Sequence, residues 1–174
     1  GWYQGALRQI NNFSSSKRLE LTEKYPDIIY PTGFEKEADE ASKKFSTISK
    51  DFIWSIIRQE STFDQYARSW ADAFGLMQIL PEKAKALSTK YEIPYHEMSD
   101  LYLPSTNLQM GSALLKEAKE KFKGHFVQSV ASYNAAESAV RNWEKERFNG
   151  NYLEFIELIP YEETRNYVKL VFRN

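Results

Sequence analysis

The chain has no cysteine, which excludes disulfides and thiolate metal sites. Histidine is almost as scarce: His96 and His125 stand in separate segments, without the spacing that would hold a metal. Neither sign of charge dominates. The 23 basic and 24 acidic residues leave a formal net charge of −1, so nothing draws the chain to nucleic acid or to an anionic membrane, and no nucleic-acid partner is expected. No apolar run approaches the length of a membrane-spanning helix, so no integral membrane segment is expected in this chain. The histidine-bearing helix of zinc enzymes, the phosphate-cradling glycine loop, the EF-hand loop and the serine nucleophile elbow are all missing from the sequence. There is no initiating methionine and no signal-peptide pattern. The chain opens on Gly1-Trp2, which suggests a processed or trimmed piece.

What is present fits a helical domain of ordinary size. With 42% hydrophobic and 27% charged residues over 174 positions, a sizeable core is possible and wholesale disorder is not expected. Tyr3, Ala6, Leu7, Ile10 and Phe13 recur at helical spacing, and Ser14-Ser15-Ser16 interrupts that helix before a charged stretch. Tyr25-Pro26, Tyr30-Pro31 and Gly33 are turn punctuation, followed by a helix over residues 35–45. Pro81 suits the first position of a helix, Pro94 ends that segment, and 101–104 reads as a turn. Ser105 or Thr106 should cap a long helix bearing Leu108, Gly111, Leu114, Leu115, Ala118 and Phe122, which Gly124 stops. Further helices are marked by Val127, Val130 and Tyr133, by Val140 and Trp143, and by Tyr167, Val168 and Val171. No alternating strand pattern of useful length appears, though residues 75–80 could form a hairpin limb. The expected class is mainly α, with at most a very small β hairpin.

One stretch carries chemical vocabulary. Ser49 is a plausible helix N-cap, and Phe52, Ile53, Ile56 and Ile57 form an apolar stripe behind it. The next position on that face is Glu60, near the helix end, where the backbone carbonyls disfavour an anion. Burial and the helix end both favour the neutral acid, which is what a general acid near neutral pH requires. The plainer alternative is a partly exposed helix-end glutamate, satisfied by Arg58 or by a backbone amide. Small residues in the following connection, Ala67, Ala71, Ala73 and Gly75, permit close backbone approach. A second carboxylate, if the chemistry needs one, would come from Asp64, Asp72, Glu162 or Glu163.

Four motifs in order, Arg-Gln-Glu-Ser (58–61), Gly-Leu-Met-Gln (75–78), Ser-Tyr-Asn-Ala (132–135) and Ile-Pro-Tyr-Glu-Glu-Thr-Arg-Asn-Tyr-Val (159–168), resemble those of the soluble lytic transglycosylases. These are lysozyme-like enzymes, related in fold to goose-type lysozyme, that cleave bacterial peptidoglycan. The resemblance implies a catalytic domain over residues 25–174, with 1–24 a leader or the end of an upstream region. It implies one catalytic carboxyl group, Glu60, acting first as acid on the bond between N-acetylmuramic acid and N-acetylglucosamine. Glu60 would then act as base on the muramyl C6 hydroxyl, leaving a 1,6-anhydro end. It further implies substrate contacts from Ser69, Met77, Gln78, Tyr133, Asn134 and Glu163. No cofactor or metal is implied, and the expected partner is the peptidoglycan glycan strand, met by a monomer in the periplasm or cell envelope. Taken on their own, Met77 also reads as core filler and Tyr133 as a buried aromatic.

The chain departs from the family pattern in two places. Where Ser-Pro-x-Gly-Ala is usual, it has Ser69-Trp70-Ala71-Asp72-Ala73, placing a bulky indole and a charge beside the expected cleft. Trp70 reads as a rim residue and Asp72 as a solvated loop residue. Ala136-Glu137 stands where Gly-Pro or Gly-Gly is usual. Two rivals differ in outcome: a hydrolase of the same fold using Asp64 or Asp72 to activate water, and a non-catalytic wall-binding module.

Overall fold

Helix α5, Lys50–Glu60, begins as its sequence dictates: the Ser49 hydroxyl accepts the Phe52 N–H at 3.3 Å, and Ile53, Ile56 and Ile57 are fully buried. The computed structural model describes the backbone of residues 2–174, and all of their side chains except those of Trp2, Gln4 and Asn11. Gly1, on which the expectation of a trimmed start rests, lies outside the described residues. The chain divides into two compact units, the first running to Ser112 and the second from Ala113 to Asn174.

In the first unit α5 is preceded by α1 (Trp2–Asn11), α2 (Ser15–Lys24), α3 (Pro26–Ile29) and α4 (Glu35–Lys44). It is followed by α6 (Pro81–Tyr91), a 3₁₀ turn over Met98–Tyr102, and α7 (Pro104–Lys121), whose residues as far as Ser112 belong to this unit. Fully buried Ala38 and Ala41 let α4 lie close against α5, while α3 packs on α1 and α2. Leu7 and Ile10 of α1 are buried, so the segment read as a leader contributes to the core. The charged stretch after the serines is itself helical: Ser14 caps α2 by accepting the Lys17 N–H. That helix buries no residue, which is why it showed no apolar stripe. Pro81 opens α6 as expected. The long helix α7, however, starts at Pro104 rather than behind a Ser105 or Thr106 cap, and Thr106 donates its hydroxyl to the Pro94 carbonyl. The fixed φ of proline suits a first helical position, so no hydroxyl cap is needed there.

The second unit holds the end of α7, closed by a left-handed Gly124 (φ +83°), then α8 (Phe126–Asn134), α9 (Glu137–Arg147), α10 (Tyr152–Leu158) and α11 (Glu162–Arg173). α8 packs on α9 and, more extensively, on α11, while α10 bridges α9 and α11 over fully buried Val130, Val140, Phe155 and Val168. His125 stands at the N-cap position of α8. α10 is nucleated by Asn151, whose side-chain oxygen accepts the N–H groups of Leu153 and Glu154. Among the described residues no strand forms. Residues 75–80 make only the isolated bridge Phe74↔Ile79, beside a second at Arg68↔Phe74. No described helix is long and apolar enough to cross a membrane.

Candidate active site

Glu60 is the last residue of α5, and Ser61 closes the helix with both its N–H and its hydroxyl on the Ile57 carbonyl, at 3.0 and 3.2 Å. Ile56 and Ile57 before it are fully buried and Ser61 after it is buried, yet Glu60 itself is only half-buried. Its carboxylate therefore stands at the rim of the apolar stripe, between core and water. Arg58 donates to the Ile29 carbonyl and lies over the Tyr30 ring, and Trp54 donates its indole N–H to the Gly33 carbonyl at 2.9 Å. Both side chains tie α5 to residues 29–33, ahead of α4.

The connection from Ser61 to Leu80 is tightly constrained. Thr62, Phe63, Asp72 and Gln78 all take positive φ, a conformation costly for L-residues that persists only where surrounding contacts enforce it. The far end of this connection is pinned by Asn107 on α7, which is fully buried. Its amide nitrogen donates to the Phe74 and Leu101 carbonyls at 2.9 and 2.7 Å, and its oxygen accepts the Met77 N–H at 2.8 Å. Gly75, at φ +75°, passes so close that a Cβ would lie 2.3 Å from the Leu101 carbonyl oxygen. One turn along α7, a Cβ on Gly111 would collide with the Met77 sulfur at 2.2 Å.

The expected substrate residues of this unit occupy different levels of the loop. Met77 is fully buried on Gly111, so the structure places it beneath the loop surface, as support. Gln78 is half-buried and donates its amide to the Gly75 and Ala67 carbonyls at 2.9 and 3.3 Å, stapling the two limbs of the loop. Ser69 is half-buried at the base of a three-residue turn: its N–H donates to the Ala73 carbonyl and its hydroxyl oxygen accepts the Ala73 N–H. Asp72, at the third turn position, has φ +57° and is clamped by the Arg68 guanidinium at 2.7 Å. A left-handed position explains why glycine suits this turn. Aspartate is among the few other residues that tolerate it. Asp64 accepts the Tyr66 N–H at 3.0 Å.

In the second unit, half-buried Tyr133 and Asn134 form the end of α8. The Asn134 oxygen accepts the Thr164 hydroxyl at 2.7 Å, and its amide donates to the Glu163 carboxylate at 3.4 Å. The structure thus brings Asn134 and Glu163 together. Glu163 is exposed in the first turn of α11, where the helix N-terminus favours a negative charge. Glu162 stands beside it, also exposed. At the second departure from the family pattern, Ala136 is the N-cap of α9 and Glu137 its first residue. The Lys121 ammonium and the Arg141 guanidinium beside Glu137 hold its carboxyl below its ordinary value.

Sequence reading missed Asn107 and Thr164. A signal existed for Asn107: like Glu60, it is a polar residue on an otherwise apolar helix face, four positions before Gly111. Buried Thr164 lay inside a quoted motif but carried no distinguishing spacing.

The helical fold that presents this glutamate and loop is the lysozyme-like one of the lytic transglycosylases. The chain is a member of the transglycosylase SLT domain family, whose sequence model matches residues 37–156. It is 36% identical over 149 residues to a putative soluble lytic murein transglycosylase of Haemophilus influenzae, covering 84% of this chain and 25% of that protein. The lytic transglycosylase Slt of Pseudomonas aeruginosa, solved as an inactive mutant, superposes with a TM-score of 0.87 at 34% identity, covering 98% of this chain and 26% of that one. The 70-kDa soluble lytic transglycosylase of Escherichia coli gives 0.75 at 28% identity, over 95% of this chain and 28% of its own. The chain therefore spans about a quarter of the length of these relatives.

Proposed function

We propose that residues 25–174 are the catalytic domain of a peptidoglycan lytic transglycosylase, acting as a monomer in the periplasm or cell envelope. The observation that carries this reading is the placement of Glu60, half-buried between fully buried Ile57 and buried Ser61 at the end of α5. A carboxyl group at the margin of a dry core can hold a proton and still meet a substrate. In the proposed reaction Glu60 gives its proton to the glycosidic oxygen, the bond from the muramyl C1 breaks, and N-acetylglucosamine leaves with a free 4-hydroxyl. The muramyl N-acetyl carbonyl shares the positive charge at C1. Glu60, now a carboxylate, takes the C6 hydroxyl proton as that oxygen bonds to C1, closing the 1,6-anhydro ring. Proton and oxygen balance without water, because a tethered hydroxyl outcompetes solvent when held in line.

Ser69, whose hydroxyl hydrogen is not used by the turn, serves as donor to the N-acetyl group. Gln78 shapes the loop and Met77 supports it from beneath. Tyr133, Asn134 and Glu163 supply the remaining substrate contacts. The hydrolytic alternative is disfavoured by the engagement of both candidate aspartates, Asp72 with Arg68 and Asp64 with the Tyr66 N–H.

The test combines one substitution with product analysis. Glu60→Gln is expected to abolish muropeptide release from sacculi while leaving the thermal midpoint in place. Wild-type digestion in heavy-oxygen water should yield unlabelled anhydro ends. Labelled reducing ends would establish a hydrolase, and sacculus binding without any release would establish a binding module.

A further inference from the structure

The loop that carries Ser69 also carries an aromatic surface for which the proposed chemistry has no use. Trp70 is 98% exposed, Tyr66 is 70% exposed, and the Tyr66 ring packs on Tyr102 at 5.9 Å between centroids. Tyr102 in turn meets Phe74 edge-on at 5.5 Å, and the Arg68 guanidinium lies 5.2 Å over Phe74. An isolated exposed apolar residue is unremarkable on a protein surface. Here, however, the backbone that carries the indole is held in a closed turn. It occupies the first position of the Trp70-Ala71-Asp72 turn, fixed by the Ser69–Ala73 hydrogen bonds and by the Arg68–Asp72 ion pair across its base. An ordered turn spares binding the entropic cost of ordering a mobile loop.

Resting on the transglycosylase reading, we propose that Trp70 is a glycan-binding site that takes the sugar rings of a peptidoglycan strand outside the bond being cleaved. The occupant follows from continuity. Ser69, the proposed donor to the substrate N-acetyl group, is bonded to Trp70 in the chain, so their Cα atoms lie about 3.8 Å apart. A strand that reaches the Ser69 hydroxyl passes the backbone that carries the exposed indole. The C–H face of a pyranose ring suits a flat aromatic surface, whose large apolar area is covered without removing a charge from water. The Arg68–Asp72 clamp leaves the turn without net charge, so the ring faces of the strand rather than its lactyl carboxylates are what the indole would meet.

The test uses the Glu60→Gln chain, which binds without cutting, and peptide-free glycan strands released from sacculi by an amidase. Adding Trp70→Ala should weaken equilibrium binding roughly tenfold. The tryptophan emission of the Glu60→Gln chain should shift to the blue on strand binding, and Trp70→Phe should remove that shift. Affinity unchanged in Trp70→Ala would overturn the proposal. So would weaker binding with the emission shift intact in Trp70→Phe, since the indole would then act only through the turn. If wild type releases anhydro muropeptides but Trp70→Ala binds as the parent does, the aromatic site alone falls. If the parent neither binds strands nor cleaves sacculi with Glu60 restored, both readings fall.

Discussion

The two units present their proposed substrate residues by opposite means. In the first, the residues stand on an irregular loop whose backbone is held at positive φ in four non-glycine places and pinned by the buried amide of Asn107. In the second, Tyr133, Asn134 and Glu163 stand on the ends of regular helices, joined by the Thr164–Asn134 and Asn134–Glu163 hydrogen bonds. The loop draws part of its support from a residue on a separate helix. The helix ends satisfy most of their backbone locally and need only orientation. Damage should accordingly propagate far in the first unit and stay local in the second.

Asn107→Ala is the most damaging test of that contrast. It takes the Asn107 amide from the Met77 N–H and the Leu101 carbonyl in a buried site, at about 1–3 kcal/mol for each, while the Phe74 carbonyl keeps the Ile79 N–H. A loss of about 3–5 kcal/mol in chemical denaturation is expected, with muropeptide release falling in parallel. Gly75→Ala should rank next, at about 2–4 kcal/mol, because the new methyl meets the Leu101 carbonyl in a left-handed conformation. Thr164→Val removes one hydroxyl donor from Asn134 and should cost about 1 kcal/mol. If Thr164→Val proved as costly as Asn107→Ala, the two units would not differ in the way described.

The smallest effect sharpens the comparison through pH. The N–H groups of His96 and Glu97 donate to the Asp100 carboxylate at 2.7 and 3.2 Å and lower its pKa from the ordinary 3.8, helped by the nearby His96 ring. A lowered folded-state pKa contributes stability that is present above 3.8 and is lost as the pH falls through the folded value. Asp100 precedes Leu101, whose carbonyl Asn107 holds, so this capping interaction supports the same loop. The gap in thermal midpoint between wild type and Asp100→Asn should therefore be widest near neutral pH and close in strong acid. A gap independent of pH would show that the carboxylate charge is irrelevant to the 3₁₀ turn.

Legibility in the sequence followed the same division. Local rules read well: the Ser49 cap, the buried stripe of α5, Pro81 at the start of α6, the stop at Gly124 and the stripe of α11 all stand where spacing placed them. Helices without a stripe escaped, as α2 did, because a solvated helix leaves only propensity behind. At the candidate site, Glu60 stood out as a polar residue on an apolar face, although half-burial at a rim could not be told from burial in a core. Met77 illustrates the difficulty further. The resemblance placed it against sugar and packing alone read it as core filler; its side chain lies fully buried on Gly111.

By itself, then, the sequence determined the helical class, most helix limits, the identity of the candidate acid and the family motifs, because these depend on residues a few positions apart. Tertiary structure decided that the Asn107 amide would reach carbonyls at Phe74 and Leu101, that Asn134 would meet Glu163, and that Asp72 would take a left-handed turn under the Arg68 clamp. The physical reason is that periodicity records which face of a helix is dry. Which buried polar groups from distant segments satisfy one another, and which backbone conformations their contacts enforce, is set only when the chain has closed around them.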